Sequence, residues 1–234
     1  MKSAGPVRLT DNITTLIQRI RLKSAISFDG HTALPNGASK WITGEQARVD
    51  THMWRAKADV IVTGVGTVLA DDPLLDVRYG HVGNQPILAI VDSTLRTPVT
   101  SKLFEVHNRR VLLYTTQAAM ERRGAFECSN VSVVALPECD GRVNLPAMIA
   151  DLARQNLHVL HVEAGSTLSG SFLRQGLVDE VLMYVAPKLL GPGLPFAQLD
   201  KLTVLDNAIS LEFVSVDLVG DDLRVVARVI RKQP

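Results

Sequence analysis

The chain has 234 residues, 46% hydrophobic and 21% charged, with a formal net charge of +1. This composition excludes an intrinsically disordered chain and allows one sizeable core. With no basic block or stripe, nucleic acid is not an expected partner, and no apolar run reaches the length of a membrane span. Met1-Lys2-Ser3-Ala4-Gly5-Pro6 lacks the apolar core of a signal peptide. Cys128 and Cys139 form no C-x-x-C pair and have no His or Cys beside them at zinc-ligand spacing. Two reduced thiols in a cytoplasmic protein are expected, and no metal site.

In chain order, residues 1–20 are expected to form an N-terminal arm and residues 21–234 one domain. Strands are expected over 21–27, 59–63, 87–92, 110–115, 131–136, 158–163, 180–186, 211–218 and 224–230, all rich in Val, Ile and Leu. Helices are expected over 44–55, 117–127, 145–155 and 168–175. Thr43 is the candidate N-cap of the first, with Gln46 as its capping-box partner. Alternating strand and helix predicts an α/β fold with a mostly parallel sheet. Gly220-Asp221-Asp222 is a turn signal, so the last two strands are expected to close one edge as an antiparallel hairpin.

Three stretches carry candidate chemistry. Ser24 to Gln46 runs through Phe28-Asp29-Gly30 and Pro35-Asn36-Gly37 into Trp41, a loop pattern suited to gripping a ligand. Asp59 to Arg78 takes a buried strand into Gly64-Val65-Gly66, Thr67 and an Asp71-Asp72-Pro73 corner. Leu69 stands where a dinucleotide fingerprint needs Gly or Ala, so that motif fails. The glycines either admit a ligand close to the backbone or only make a tight turn. Leu157 to Glu180 ends a strand at Glu163, follows with Ala164-Gly165-Ser166-Thr167 and then enters a helix. That helix start suits a phosphate or pyrophosphate, or else Ser166 or Thr167 merely caps its own backbone. Glu163 and Asp92-Ser93 both end strands, where open α/β sheets bind ligands. Arg55 and Arg78 are either surface charges or phosphate clamps.

Together these stretches resemble the reductase domain of bacterial riboflavin biosynthesis. The family pattern S-L-D-G-[RK]-x-A…G-x-S-x-W-I-T is matched by Ser27-Phe28-Asp29-Gly30-His31-Thr32-Ala33 and Gly37-Ala38-Ser39-Lys40-Trp41-Ile42-Thr43. T-G-x-x-T-V-L-A-D-D-P-x-L-x-V-R is matched from Thr63 to Arg78, and V-E-A-G-x-T-L-x-G from Val162 to Gly170. The resemblance covers nearly everything after about Arg21.

It implies a fold similar to dihydrofolate reductase and a homodimer. It also implies NADPH-dependent reduction of 5-amino-6-(5-phosphoribosylamino)uracil, a small phosphorylated pyrimidine, to its ribitylamino form, with the hydride going to the sugar's C1. Carried over by position, Ala25, Trp41, Thr67, Asp71 and Ser93 would contact NADPH. Its phosphates would lie on Gly165, Ser166, Thr167, Leu168, Ser169, Gly170 and Ser171. Ser39, Arg55, Leu75, Arg78 and Glu163 would hold the substrate. Asp29 and Glu163 are the candidate proton donors, a role that needs a raised pKa; the other reading of Asp29 is a cap on the Gly30 turn.

His31 replaces the family's usual Lys or Arg, and Phe28 its usual Leu. His161-Val162-Glu163 reads as H-x-E, but no P-C-x-x-C follows it, so no deaminase is expected. The chain is expected to be a stand-alone reductase or a piece of a bifunctional one. The alternatives are a relative of the same fold reducing another substrate with NADPH, and a binding module without catalysis.

Overall fold

A computed structural model describes residues 17–79, 85–126 and 130–231. Its first strand, β1 (Arg19–Ser27), shows how the sheet divides its two faces. Ile20 and Leu22 enter the main core, and the period of two turns Arg21 and Lys23 to the opposite face. The short strand β2 (His31–Ala33) follows a turn at Gly30. Helix α1 (Glu45–Ala56) then leads to β3 (Val60–Gly64), the seven-residue helix α2 (Val65–Asp71) and β4 (Ile87–Val91). Next come β5 (Val111–Thr116), a 3-10 helix over Gln117–Phe126, β6 (Val131–Leu136) and the strands β7 (Glu138–Cys139) and β8 (Arg142–Val143). Helix α3 (Leu145–Arg154), β9 (Val159–Glu163), α4 (Ser166–Arg174) and β10 (Glu180–Ala186) follow. The chain ends in β11 (Leu194–Pro195), β12 (Leu211–Val219) and β13 (Asp222–Val229).

The main sheet has nine strands in the order β12-β13-β10-β1-β9-β3-β4-β5-β6. From β10 across to β6 every neighbouring pair is parallel, and β13 and β12 add antiparallel strands at one edge. This is the mostly parallel α/β sheet with a closing hairpin that the strand pattern predicts. The main core packs Phe172 and Leu173 of α4 and Met148, Ile149 and Leu152 of α3 on one face. Helix α1 covers part of the other face, where Ala47 meets Leu182, Tyr184 and Val226.

Strand β3 leaves through α2 toward β4, whereas the adjacent β9 leaves through α4 toward β10, on the far side of β1. The connections diverge between neighbouring parallel strands, which opens a crevice at their carboxyl ends.

Several local expectations change. Helix α1 is capped by Gly44, not Thr43, and no side chain caps it. Instead the Gly44 N–H donates to Asp222 Oδ2 at 2.7 Å, so a distant strand anchors the helix start. The stretch from Gln117 winds as a 3-10 helix through Phe126, and residue 127 lies outside the described residues, as does Cys128. Helix α2 and the strands β2, β7, β8 and β11 have no counterpart in the sequence pattern. Of the expected arm, residues 1–16 lie outside the described residues, while Ile17 is buried in the core and Arg19 already opens β1. Among the described residues no helix is long and apolar enough to cross a membrane.

The segment around Gln198 crosses α4 tightly, its N–H donating to the Ser166 carbonyl at 2.9 Å. A Cβ on Gly170 would lie 2.1 Å from the Gln198 carbonyl oxygen. Backbone cannot rotate away, so Gly170→Ala is expected to cost about 2 kcal/mol or more. A thermal melt should show a fall in Tm of roughly 4–8 °C.

Candidate active site

The register of β1 against β9 builds the centre of the site. Arg21 lies opposite His161 and Lys23 opposite Glu163, so four polar residues share one face of the sheet. From above, Arg55 in the last turn of α1 reaches Glu163 with both arms, Nε to Oε1 at 2.5 Å and Nη2 to Oε2 at 2.9 Å. Lys23 Nζ stands 3.7 Å from Glu163 Oε2 on the other side. His161 Nε2 approaches Oε1 to 3.3 Å without the alignment of a hydrogen bond.

Burial alone would push the Glu163 carboxyl up, but Arg55, Lys23 and the His161 contact together hold it well below the usual carboxylate range. Burial pushes Lys23 below its ordinary value of 10.5, an effect Glu163 opposes and Arg55 reinforces. Burial likewise keeps His161 neutral against the pull of Glu163, with help from Arg55 and Arg21. Lys23 retains 16% side-chain exposure, so the cluster is deeply but not completely enclosed.

Helix α4 begins beside this cluster. Gly165 is its N-cap and no side chain caps the first turn. The Gly165 N–H donates to Thr67 Oγ1 of α2 at 3.0 Å, which brings two of the expected site residues together at the switch point. The expected phosphate turn narrows, however. Ser169 is buried and donates to the Ala164 carbonyl, Gly170 lies against Gln198, and the Ser171 hydroxyl donates to the Thr167 carbonyl. The amides of residues 166–168 front the helix start, since that of Gly165 is given to Thr67.

A strip from Leu75 to Tyr79 lines the crevice from the α1 side. Leu75 has a left-handed φ of 49° and its side chain belongs to the second core cluster. Its carbonyl accepts from buried Arg109, so both its side chain and its carbonyl are engaged within the fold. The Asp76 carbonyl accepts from Arg55 Nη1 at 2.9 Å. Arg78 is half-exposed and pairs through Nε with Asp76 Oδ1 at 3.2 Å, which leaves both terminal nitrogens to face a ligand.

In the loop after β1, the Asp29 carboxylate is fully engaged by hydrogen bonds. Asp29 accepts from the Ser27 hydroxyl at 2.5 Å and from the Leu190 and Gly191 amides, bonds that hold its carboxyl below the usual carboxylate range. Its role is a latch between this loop and the segment after β10. The Phe28 N–H to the Lys188 carbonyl, and Lys188 Nζ to the Trp41 carbonyl, are further ties. Neither Asp29 nor Glu163 has the raised pKa that a proton donor needs. Trp41 is 64% exposed with the Arg48 guanidinium 4.4 Å above its ring. Ser39 is half-buried and its carbonyl accepts from the Ile42 N–H. His31 faces Asp29 at 3.7 Å.

The remaining expected residues lie further out. Ala25 sits on the α1 face of β1. Ser93, just past β4, accepts from the Val143 N–H through its hydroxyl, and Asp71 is exposed at the end of α2. Lys23, His161 and His52 are site residues that the sequence motifs do not pick out. For Lys23 a signal was present in the alternation of β1, where Arg19, Arg21 and Lys23 recur at every second place, interleaved with Ile20 and Leu22.

Fold and site define an α/β protein with a ligand crevice at the switch point of a parallel sheet, floored by a buried ion-pair cluster. The family model of the RibD C-terminal domain matches residues 18–225, and the chain belongs to that family. RibD of Escherichia coli (strain K12) is 34% identical over 217 residues, 87% of this chain and 58% of the E. coli protein. The chain therefore spans less than two thirds of that relative's length. A 5-amino-6-(5-phosphoribosylamino)uracil reductase of Buchnera aphidicola subsp. Acyrthosiphon pisum is 29% identical over 204 residues, 82% of this chain and 96% of its own. The solved structure of Acinetobacter baumannii RibD, form 1, superposes with a TM-score of 0.80 at 32% identity, covering 93% of this chain and 59% of that one.

Replacing Glu163 by Gln would leave Arg55 and Lys23 as uncompensated buried cations. The expected loss is about 3–5 kcal/mol of stability at neutral pH, read by urea unfolding. Because the folded-state pKa of Glu163 is lowered, the stabilisation is complete above the unfolded value of about 4.3 and fades as pH falls through the folded one. The gap between wild type and Glu163→Gln should therefore narrow in acid.

Proposed function

We propose that the chain reduces 5-amino-6-(5-phosphoribosylamino)uracil to its ribitylamino form with NADPH, as an oxidoreductase of riboflavin biosynthesis. One observation carries the reading: the Lys23–Glu163–Arg55 cluster opens beside the uncapped start of α4, at the sheet's switch point. The helix start suits NADPH, since its first amides have no side-chain cap and Gly165 adds no Cβ in the way of a pyrophosphate. Residues 166–168 would hold the phosphates, and Ala25, Trp41, Thr67, Asp71 and Ser93 would line the rest of the cofactor.

NADPH supplies the hydride when bound. The chain's own residues orient the sugar and manage one proton. Arg78 anchors the 5-phosphate with its free terminal nitrogens. Ser39 and the Leu75 amide border the same ligand. Arg55 stays bonded to Glu163, whose ionised carboxylate accepts from the sugar hydroxyls or the uracil and holds Lys23 in place. As the C1–O bond of the sugar ring opens, the ring oxygen takes a proton and C1 takes the hydride. Lys23 is the donor: its ammonium stands 3.7 Å from Glu163 at the centre of the site, and burial has made it a stronger acid than an ordinary lysine. The two carboxyls remain ionised and serve as anchors.

The protein acts as a homodimer in the cytoplasm. Phe213, Val214, Val216 and Leu218 are each more than half exposed on the outermost strand β12, a face that suits a second copy of this chain. The exposed, unpaired Cys139 fits a reducing compartment.

The test is NADPH oxidation followed by absorbance with freshly prepared pyrimidine substrate. Substrate-dependent oxidation is expected; NADPH binding without oxidation would overturn the substrate assignment. Glu163→Ala and Arg78→Ala should lose most turnover while NADPH titration stays close to wild type. Lys23→Met should lower kcat by about 10²-fold or more. In the wild type, kcat should fall as pH rises through the Lys23 pKa, which lies below 10.5, and an alkaline limb unchanged in Lys23→Met would remove Lys23 as donor.

A further inference from the structure

The strip that carries Arg78 is held in an unusual way. Three successive residues have their backbone bonded by side chains, and among the described residues no strand pairs with them. The Asp76 carbonyl accepts from Arg55, the Val77 N–H and carbonyl both bond the Gln85 side-chain amide at 2.7 and 2.9 Å, and the Arg78 N–H donates to His52 Nδ1 at 3.1 Å. His52 and Arg55 stand three residues apart on α1, so one helix face fixes both ends of the strip. Directly after Arg78 the chain turns at Tyr79, whose φ of 60° is left-handed and whose ring meets the His52 ring edge-on at 4.9 Å.

We infer that His52 is a positioning residue for Arg78, fixing the backbone from which its guanidinium reaches the phosphate of the substrate. The inference rests on the reading of Arg78 given above. The chemistry of the contact explains why a histidine stands there. To accept from a backbone N–H, Nδ1 must be unprotonated, so the ring is neutral with its proton on Nε2. Burial, reinforced by Arg55 and Arg78 and opposed by Asp76, pushes the imidazole down to about 4, so it remains an acceptor at neutral pH. A carboxylate in its place would also bond the amide, but it would draw the Arg78 guanidinium inward and compete with the phosphate. A neutral acceptor fixes the backbone and leaves the charge of Arg78 for the ligand.

The test compares two amides. In His52→Asn the side-chain oxygen falls near the place of Nδ1; in His52→Gln it falls near the place of Nε2, too far along the side chain. His52→Gln is expected to raise KM for the phosphorylated substrate about tenfold, the size of one lost hydrogen bond, with kcat within about threefold of wild type. His52→Asn should restore most of KM. The double variant His52→Gln with Arg78→Ala should have the KM of Arg78→Ala alone, since His52 acts through Arg78. Independently of any substrate, hydrogen exchange at the Arg78 amide should quicken about tenfold or more in His52→Gln and return toward wild type in His52→Asn. Additive effects in the double variant, or wild-type exchange at Arg78 in His52→Gln, would overturn the inference. A wild-type KM in Arg78→Ala would instead break the phosphate reading of Arg78, and the amide exchange would still decide whether His52 holds it.

Discussion

The structure depends on one interaction, the two-armed ion pair between Arg55 and Glu163. It is made between the last turn of α1 and the carboxyl end of β9, and it turns the face of a sheet into the floor of a site. An ionised carboxylate this deeply placed is stable only with paired, hydrogen-bonded partners, and here two cations and a neutral imidazole converge on it. The pair also fixes α1, whose start is tied to Asp222 and whose end is tied through Arg55 to the strip bearing Arg78. Charge placement and helix placement are thus the same constraint.

The crevice divides its work between two kinds of electrostatics. At the α4 start the positive end is backbone, open amides with no side-chain cap, suited to a phosphate that must be held without a fixed charge. At the floor the charges are side chains, with Glu163 held well below the usual carboxylate range by its cationic neighbours and Lys23 lowered by burial. In the proposed reaction, the carboxylate that stays ionised is the anchor and the ammonium made more acidic is the donor.

Much of the fold was legible because apolar runs of strand length alternate with helical ones, and the Gly220-Asp221-Asp222 turn marks the closing hairpin. The edge where Glu163, Gly165 and Thr67 come together was legible too, since they sit at strand ends and helix starts. Other features depend on pairing that no local pattern contains. Lys23 became a site residue only when β1 settled beside β9 in a register that sets it opposite Glu163. Thr43 looked like a cap because capping boxes are local, but Asp222, 178 residues away in sequence, takes the Gly44 amide instead. Asp29 could be read either as an acid or as a turn cap, and its bonds to the Leu190 and Gly191 amides come from a segment 161 residues away that no local pattern announces. Leu75 lies within a ligand motif yet turns its side chain into the core, which a motif match cannot distinguish from a contact.

The central claim is that Glu163 remains an ionised, paired carboxylate throughout the working range of the protein. The most direct measurement is the side-chain carboxyl carbon shift of Glu163, followed by NMR as pH is lowered from neutrality. A carboxylate signal is expected to persist well below the ordinary titration point of about 4.3, and its midpoint to move up once Arg55 is replaced by Met. A midpoint at or above the ordinary value in the wild type would contradict it, and would return Glu163 to the position of a proton donor.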